Sequence, residues 1–526
     1  MTAGTERTFN QRPFNMARYC IAGAAASTPK KTALLVYNVP DAREPVEEWR
    51  FQDIEKAVLQ LATSLKELGL KRGDRVAIRL GNCSSSALLF FGAIAGGYVA
   101  LPLSDQLTDG ELRALLDDSG AAVIATSEPL SDAAVPTGVR VLSLDDVDQM
   151  FWDKATGVYC GGASDYADTR ADDPAYLIYT SGTTARPKGV LHAHRVAEGR
   201  APTYRGWYGM TADDRVLHAG AFNWTYTLGT GLIDPWANGA TSIVYTGPKS
   251  PAMWPGLIRN SQATLFAAVP SLFRQILKYA PPGPLDLGRL RHGLMAGERP
   301  PVDLFDAWTS RTGTPLYEAL GMSEISTYVS TSPDTPYKHG VTGKPQPGRR
   351  VAILPLDGGT EPVPAGQEGI IAVHRSDPGL MLGYWNRPEE DAEVYRGDWF
   401  IGGDIGVIDA DGYLTHLGRA NDVMNAFGYR VAPQEVEAAL AHYPGVAEVA
   451  CTELRVRDDL SIIAAFIVPV AGKTIDTAAV KAFAAERLAA YKCPREVFVV
   501  DHLPRTANGK VKRSALRAPS ADVTTA

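Results

Sequence analysis

The sequence lacks several features that mark particular protein classes. It has 5 cysteines, spaced without the close pairs that bind zinc. Such a sparse, odd set argues against a disulfide framework and indicates a reducing, cytoplasmic compartment. There is no excess of basic residues, because 52 Lys and Arg stand against 59 Asp and Glu, a net charge of −7. This balance disfavours nucleic acid as the main partner, since binding phosphate backbones requires a basic surface.

Long apolar runs are also missing. The least polar stretch, residues 86–103, is interrupted by Gly96, Gly97 and Pro102, whereas a bilayer span needs about 20 apolar residues. The stretch is predicted to be a buried helix leading into a strand, with no membrane span. The first residues have no apolar segment of the kind found in a secretory signal.

The remaining pattern predicts an α/β protein. Helix-like and strand-like segments alternate, as in residues 53–69 followed by 74–80, which indicates parallel sheets covered on both faces. From about residue 341 to residue 418, short strands separated by Gly and Asp turns predict a barrel-like subdomain. Residues 423–526 have a compact α+β pattern, and the main domain boundary is predicted at residues 419–422.

One loop has the composition of a phosphate-binding site. The segment YLIYTSGTTARPKGVLHAH, residues 176–194, has an apolar strand followed by hydroxyl residues, a glycine and a lysine. Backbone N–H groups and hydroxyls of such a loop can surround phosphates, while the lysine adds positive charge. It is not a Walker A loop, because Lys188 is followed by Gly189.

The motif TSGTTxxPKGV resembles the signature loop of the adenylate-forming superfamily, which includes acyl-CoA synthetases and aryl-acid CoA ligases. Further motifs follow in the order of that family: MAGE at 295–298, EALGMSE at 318–324, GDWFIGGD at 397–404, GRANDVMNAFGYRVAPQEVE at 418–437 and PRTANGKVKR at 504–513.

The resemblance implies a two-step reaction that uses ATP, Mg²⁺ and CoA. A carboxylate attacks ATP to form acyl-AMP, and a thiol then displaces AMP. The implied catalytic residues are Lys510, which would bridge the carboxylate and the α-phosphate, Glu324, which would hold Mg²⁺, and Thr180 of the loop. Asp404 would bind the ribose hydroxyls, and Arg419 would contact the ribose or a phosphate.

The motifs together imply a nucleotide-binding set drawn from the loop, the adenine segment and the ribose and hinge motifs. Its members are Thr180, Ser181, Gly182, Thr183, Thr184, Lys188, Gly297, Glu298, Glu318, Ala319, Leu320, Gly321, Met322, Ser323, Asp404, Arg419 and Arg430. Two positions depart from the usual family pattern, because Leu320 replaces a tyrosine and Ser323 replaces a threonine.

The same resemblance implies the fold and its moving parts. It implies a large N-terminal part, residues 1–418, with two doubly wound sheet subdomains and the barrel-like subdomain, and a small mobile α+β domain, residues 423–526. Asn421 occupies the hinge position, where the family usually has Asp or Lys. Gly428 would line the CoA tunnel, and Phe427 and Tyr429 would either narrow that tunnel or serve as packing residues.

The resemblance to the adenylate-forming superfamily implies an acyl pocket near residues 218–231. Phe222, Asn223, Trp224 and Tyr226, with Ala296, form an aromatic-rich candidate wall that suits a ring-bearing acid. Trp224 and Tyr226 could instead be core residues. The neutral Asn223 disfavours an amino acid as substrate.

The predicted function is an ATP-dependent ligase that joins an aryl, alicyclic or polycyclic carboxylic acid to CoA. Three alternatives stay open: an adenylating enzyme that passes acyl-AMP to a carrier protein, a medium- or long-chain fatty acid–CoA ligase, and a non-catalytic acyl-adenylate-binding protein. The sequence does not indicate an oligomeric state.

Overall fold

The computed structural model describes residues 11–153, 155–156, 158–160, 165–180, 187–301, 303–420, 424–426, 429–431, 433–457, 460–505 and 511–517. Residue contacts divide the chain into two units. The larger unit contains residues 1–350 and 374–398, and the smaller unit contains residues 351–373 and 399–526. The predicted domain boundary at residues 419–422 stays a prediction.

The α-helices of the described residues are short to medium in length. They are α1 Met16–Ser27, α2 Phe51–Glu67, α3 Ser84–Ala95, α4 Asp109–Ser119, α5 Leu144–Phe151, α6 Val196–Gly199, α7 Ala201–Thr203, α8 Thr225–Leu228, α9 Asp234–Ala237, α10 Trp254–Asn260, α11 Pro270–Tyr279, α12 Asp303–Thr312, α13 Pro388–Glu393, α14 Pro433–Leu440 and α15 Thr477–Ala485.

The strands of the larger unit come first in the chain. They are β1 Thr32–Tyr37, β2 Glu47–Arg50, β3 Arg75–Arg79, β4 Val99–Pro102, β5 Ala121–Thr126, β6 Arg140–Ser143, β7 Trp152–Asp153, β8 Val158–Tyr159, β9 Pro174–Thr180, β10 Lys188–Ala193, β11 Arg215–His218, β12 Thr241–Tyr245, β13 Leu265–Ala268, β14 His292–Ala296, β15 Leu316–Met322, β16 Ser326–Ser330 and β17 Lys344–Pro345.

The later strands belong to both units. They are β18 Val351–Leu354, β19 Gly369–His374, β20 Gly383–Tyr384, β21 Tyr395–Arg396, β22 Trp399–Ile408, β23 Leu414–Arg419, β24 Met424–Ala426, β25 Tyr429–Val431, β26 Val446–Arg457, β27 Leu460–Pro469 and β28 Glu496–Val499.

One sheet of the larger unit has the strand order β20-β10-β9-β4-β3-β5-β6. Its strands β9, β4, β3, β5 and β6 run parallel, while β10 returns antiparallel to β9 and pairs with β20 at the edge. Helix α3 is buried along its whole length, including the three serines at its start. The prediction that residues 86–103 form a buried helix leading into a strand is confirmed by α3 and β4.

The second sheet of the larger unit has the order β17-β16-β15-β14-β13-β11-β12-β1-β2. Strands β1, β12, β11, β13, β14 and β15 are parallel. The side chains of α10, α11 and α12 pack on this sheet through buried Trp254, Phe273 and Trp308. In parallel sheets, binding residues collect where the strands end, so the carboxyl ends of β11, β12, β14 and β15 are the places to look for a site.

The smaller unit combines an antiparallel sheet with a compact α+β part. Strands β18, β19, β22 and β23 form the antiparallel sheet. In the α+β part, β26 pairs antiparallel with β27, which pairs parallel with β28. Helices α14 and α15 contribute Val436 and Val480 to the apolar core that includes Ile463.

The predicted fold class is confirmed, with two doubly wound sheets, a barrel-like antiparallel sheet and a small α+β part. Among the described helices, none is both long enough and apolar enough to cross a membrane. All five cysteines, Cys20, Cys83, Cys160, Cys451 and Cys493, are free thiols.

Candidate active site

The β9–β10 hairpin positions both ends of the predicted phosphate loop. Thr180 is the last residue of β9, and it pairs directly with Lys188, the first residue of β10. The Thr180 hydroxyl donates to the backbone carbonyl of Lys188 at 3.5 Å. The loop members Ser181, Gly182, Thr183 and Thr184 lie outside the described residues. The hairpin therefore holds Thr180 and Lys188 side by side where β9 ends and β10 begins.

Lys188 has two partners, one on β20 and one on the helix α13 that follows it. Its ammonium forms an ion pair with Glu390, in which the two side chains are 22% and 28% exposed. The same ammonium lies 5.2 Å from the centre of the Tyr384 ring. Both partners are brought to Lys188 because β20 pairs with β10, through Tyr384 and Val190.

Glu324 lies in the tight turn between β15 and β16. The Tyr384 hydroxyl donates to Glu324 Oε1 at 2.8 Å, and the Met381 N–H donates to the Glu324 backbone carbonyl at 2.7 Å. Tyr384 therefore contacts the two residues that the sequence assigned to phosphate and metal. The sequence analysis missed Tyr384, since none of the motifs contains it and its position depends on strand pairing.

A buried ion pair is linked to the turn that carries Glu324. Arg200 and Asp234 are 2% and 0% exposed, and the guanidinium donates to both carboxylate oxygens at 2.7 and 2.6 Å. Arg200 also donates to the hydroxyl of Ser326, two residues after Glu324. Ser326 has a φ of +73°, a left-handed conformation that is uncommon for residues other than glycine. Arg200 thus anchors the turn that carries Glu324.

The predicted adenine segment lies at the ends of β14 and β15. Ala296 ends β14 and pairs with Ala319. Gly297 follows with a φ of +94°, in the region that favours glycine. The Glu298 carboxylate accepts a hydrogen bond from the Ser271 N–H at 3.2 Å. It thereby gives a partner to a backbone N–H in the first turn of α11. Four further predicted members are half-buried at the end of β15 and in the following turn: Leu320, Gly321, Met322 and Ser323.

Glu318 on β15 is a buried carboxyl group. Burial raises the pKa of Glu318 from 4.5 to about 8, and the charge of Arg299 opposes that change only in part. The carboxyl group is therefore neutral in the folded protein at neutral pH. A neutral carboxyl group can donate a hydrogen bond, which a carboxylate cannot do.

The raised pKa of Glu318 predicts that stability depends on pH. Because the folded pKa exceeds the unfolded one, the folded state binds more protons between pH 4.5 and 8, so the free energy of unfolding falls as pH rises through that window. Glu318→Gln should remove this contribution, whose slope is at most about 1.4 kcal/mol per pH unit. Denaturant unfolding of both proteins at pH 5, 6.5 and 8 measures it.

The matched control for this prediction is Glu67→Gln, at an exposed position near the end of α2. It should leave the pH dependence unchanged. If the Glu318→Gln and unmutated proteins lost stability in parallel from pH 5 to pH 8, Glu318 would not carry the extra proton.

A cavity of about 290 Å³ lies where β3, β4, β11 and β12 end. Phe222 and Asn223 line it, as the sequence predicted for the acyl pocket. Trp224 is half-buried beside them. Tyr226 is held differently, because its hydroxyl donates to the carbonyls of Leu294 at 2.9 Å and Ala268 at 3.3 Å.

Tyr226 packs against the apolar cluster that contains Ala296. The structure therefore brings Phe222 and Asn223 together at the cavity, and Tyr226 and Ala296 together in a neighbouring cluster.

Polar residues that the sequence analysis missed complete the cavity. Asn82 accepts the N–H of Phe222 at 2.9 Å and donates to the carbonyl of Gly220 at 2.7 Å, which fixes the backbone just before Asn223. Lys249 lines the cavity and donates to the carbonyl of Ala219 at 3.1 Å. Burial lowers the pKa of Lys249, with Asp105 acting in the opposite direction. The cavity thus combines aromatic and polar walls.

The predicted ribose residues lie together in the smaller unit. Asp404 on β22 is 5% exposed and pairs directly with Arg419 on β23. Its Oδ1 is 3.4 Å from Arg419 Nε and 3.1 Å from His416 Nε2. The sequence analysis missed His416. Arg430 and Tyr429 lie on β25, whereas Asn421, Phe427, Gly428 and Lys510 lie outside the described residues.

Comparisons with known proteins place these features in context. The profile of the family described as AMP-binding enzyme matches residues 21–385, and that of the AMP-binding enzyme C-terminal domain matches residues 435–510. The benzoate–CoA ligase of Thauera aromatica is 33% identical over 463 residues, which cover 86% of this chain and 87% of that protein.

Two solved structures resemble the whole chain. ATP-bound MatB from Rhodopseudomonas palustris has a TM-score of 0.86 and 27% identity, covering 96% of this chain and 98% of that one. A benzoate CoA ligase from Burkholderia xenovorans LB400 has a TM-score of 0.83 and 25% identity, covering 96% of this chain and 100% of that one.

Proposed function

Because this chain belongs to the AMP-binding enzyme family, we propose that it is an ATP-dependent ligase that joins a ring-bearing carboxylic acid to CoA. In the first step, a carboxylate oxygen of the acid attacks the α-phosphorus of ATP, and the bond to pyrophosphate breaks. In the second step, the thiol sulfur of CoA attacks the acyl carbon of acyl-AMP, and AMP leaves. The thiol proton passes to the solvent.

The observation that carries this proposal is the arrangement of Lys188, Tyr384 and Glu324. A cation and a carboxylate are held by one tyrosine next to the hairpin that delivers the phosphate loop. Phosphoryl chemistry requires positive charge to be in place where negative charge builds up. Lys188 supplies such a charge at the loop, and Thr180 supplies a hydroxyl beside it.

Mg²⁺ fits the chemistry of Glu324. Mg²⁺ prefers oxygen ligands and is usually held by one or two carboxylates together with substrate phosphates. The Tyr384 hydroxyl donates a hydrogen bond to Oε1 of Glu324. Within the described part of the chain, Oε2 of Glu324 accepts no hydrogen bond. Among the described residues, no three His, Cys, Asp or Glu side chains are grouped to hold a metal ion, which agrees with an ion bound mainly through ATP. When bound, Mg²⁺ would neutralise phosphate charge.

A ring-bearing acid suits the cavity lined by Phe222 and Asn223. Its volume of about 290 Å³ is close to the lower end of the range of about 300–1,000 Å³ for ligand pockets. Phe222 and Tyr245 offer aromatic surface, and Asn223 offers a neutral polar group. The relatives from Thauera aromatica and Burkholderia xenovorans are named as benzoate CoA ligases, which supports the same substrate class.

The other predicted roles follow the family motifs. Asp404 would bind the ribose hydroxyls, and Arg419 would contact the ribose or a phosphate. Lys510 would bring a second positive charge to the α-phosphate. Asn421 would serve as the hinge between the two steps, with Gly428 lining the CoA tunnel between Phe427 and Tyr429. These assignments give each half-reaction its own residues, so that variants can separate the two steps.

Tyr384→Phe tests the arrangement around Glu324. The variant keeps the ring beside Lys188 and loses only the hydroxyl that donates to Glu324 Oε1. A hydrogen bond to a charged group contributes about 1.5–3 kcal/mol, so we expect the adenylation rate to fall by roughly 10- to 100-fold. The Mg²⁺ concentration at half-saturation should rise. The KM for the acid should stay within about twofold.

The control for this prediction is Tyr166→Phe, because the Tyr166 hydroxyl donates to Glu55 at 3.0 Å in an equivalent tyrosine–glutamate pair. It should leave the adenylation rate and the Mg²⁺ requirement unchanged. Equal losses in the two variants would show that Tyr384 has no special connection with the reaction.

The proposed function is tested by acid-dependent exchange of pyrophosphate into ATP. The panel contains benzoate, hydroxybenzoates, alicyclic and polycyclic acids, and fatty acids, each with and without CoA. Exchange with a ring acid, followed by a thioester when CoA is added, would support the proposal. Exchange without a thioester would favour a carrier protein as the acceptor. Exchange only with fatty acids would favour a fatty acid–CoA ligase. No exchange with any acid would contradict adenylation.

A further inference from the structure

The ammonium of Lys188 already has an anionic partner. In the structure, this lysine is paired with the carboxylate of Glu390 and covered on another side by the Tyr384 ring. A lysine that serves ATP phosphates must face them with its positive charge. The pair with Glu390 therefore raises the question of what happens to that carboxylate when ATP binds.

Glu390 is held at this place by the start of α13. Pro388 opens that helix, and Asp391 accepts the N–H of Tyr384 at 2.7 Å, which joins α13 to β20. Nη1 of Arg387 is 3.6 Å from Oε1 of Glu390, so the Glu390 carboxylate has a second cationic neighbour. The position of Glu390 is thus set by the same strand pairing that places Tyr384 beside Lys188.

We propose that Glu390 is a counter-ion that occupies Lys188 in the absence of nucleotide and that the phosphates of ATP must displace. The inference rests on the proposed function, because it assumes that ATP binds at the Thr180–Lys188 hairpin. The triphosphate and Glu390 are both anionic, so they compete for the same ammonium and repel each other when both are near it. Arg387 provides a remaining partner for the carboxylate after the exchange.

The expected size of the effect follows from the exposure of the pair. Both side chains are about a quarter exposed, so water screens their attraction only in part. Removing the Glu390 charge while keeping its shape should tighten ATP binding by roughly three- to tenfold. A residue that only supported the fold would weaken ATP binding when changed, so the direction of the effect is informative.

The experiment measures direct binding of ATP, AMP and adenosine by calorimetry to the full-length chain and its Glu390→Gln variant. The neighbouring Glu389→Gln is the matched control, since Glu389 is exposed on the same helix and the change in net charge is identical. Lys188→Met, alone and with Glu390→Gln, tests whether the effect passes through Lys188. These readouts do not depend on catalysis.

The proposal predicts tighter ATP binding in Glu390→Gln, no change in Glu389→Gln and no change in adenosine binding. It also predicts that Glu390→Gln brings no gain when Lys188 is already methionine. Equal or weaker ATP binding in Glu390→Gln, with normal binding in the unmutated protein, would overturn the proposal and leave the proposed function intact. If the unmutated protein bound no ATP, the proposed function would fail and this inference with it.

Discussion

Replacing Lys510 with alanine is expected to lower acid-dependent ATP–pyrophosphate exchange by about 10²- to 10³-fold, the loss typical when one charge-stabilising group is removed. The first half-reaction brings a carboxylate and a triphosphate together, and the role proposed for the Lys510 ammonium is to bridge these two anions. The proposed role of Lys510 belongs to the first half-reaction only. Capture of supplied acyl-AMP by CoA should therefore be largely retained.

Both activities are measured on the same preparation, with Lys512→Ala as the control. Lys512 is exposed two residues further along the same segment, so its loss changes the net charge equally. It should leave both activities within about twofold. If Lys510→Ala lost exchange and thioester formation to the same extent, its assigned role in the first half-reaction would be wrong.

Replacing Arg200 with methionine is expected to destabilise the protein by about 3–5 kcal/mol, because it leaves the Asp234 carboxylate buried without its charge partner. The Tyr208 hydroxyl, which donates to Asp234 at 2.7 Å, is too weak a partner to replace a guanidinium. The turn that carries Glu324 also loses its contact through Ser326. Denaturant unfolding of the purified variant measures the change.

Two further variants separate the buried charge from a general effect of losing arginine. Arg200→Met with Asp234→Leu removes both charges and should recover most of the lost stability. Arg113→Met breaks an exposed ion pair with Asp117, and it should cost less than about 1 kcal/mol. If the double variant were no more stable than Arg200→Met alone, uncompensated charge would not be the cause.

The sequence predicted the parts of the fold that depend on local pattern. Residues 86–103 contain most of α3 and all of β4, and Gly96 and Gly97, a residue type that often interrupts helices, lie between the two elements. The helices and strands within 53–69 and 74–80 also follow local periodicity. The motifs located the nucleotide candidates, because each motif is a contiguous segment.

The contacts that organise the site could not be predicted in this way, since they join residues far apart in the chain. Tyr384 meets Glu324 across 60 residues, and Asn82 meets Phe222 across 140 residues. Each contact joins the two sheets of the larger unit, and a single sequence does not specify how these sheets pack. The buried Arg200–Asp234 pair also gives no local signal, because isolated charged residues are usually exposed.

Nor could the sequence separate pocket residues from core residues among the aromatic side chains. Phe222 and Tyr226 are four residues apart, but only Phe222 lines the cavity. Tyr226 instead donates its hydroxyl to backbone carbonyls of β13 and β14. Phe222 lies in the segment before α8, whereas Tyr226 lies within that helix.

We propose that this chain forms acyl-AMP and then transfers the acyl group to CoA. The most direct test is to incubate the protein with benzoate or another ring acid, ATP and CoA, and to quantify AMP, ADP and thioester by mass spectrometry. We predict equal amounts of AMP and acyl-CoA, with neither product formed when the acid is omitted. ADP in place of AMP, or no thioester with any acid that supports pyrophosphate exchange, would contradict the claim.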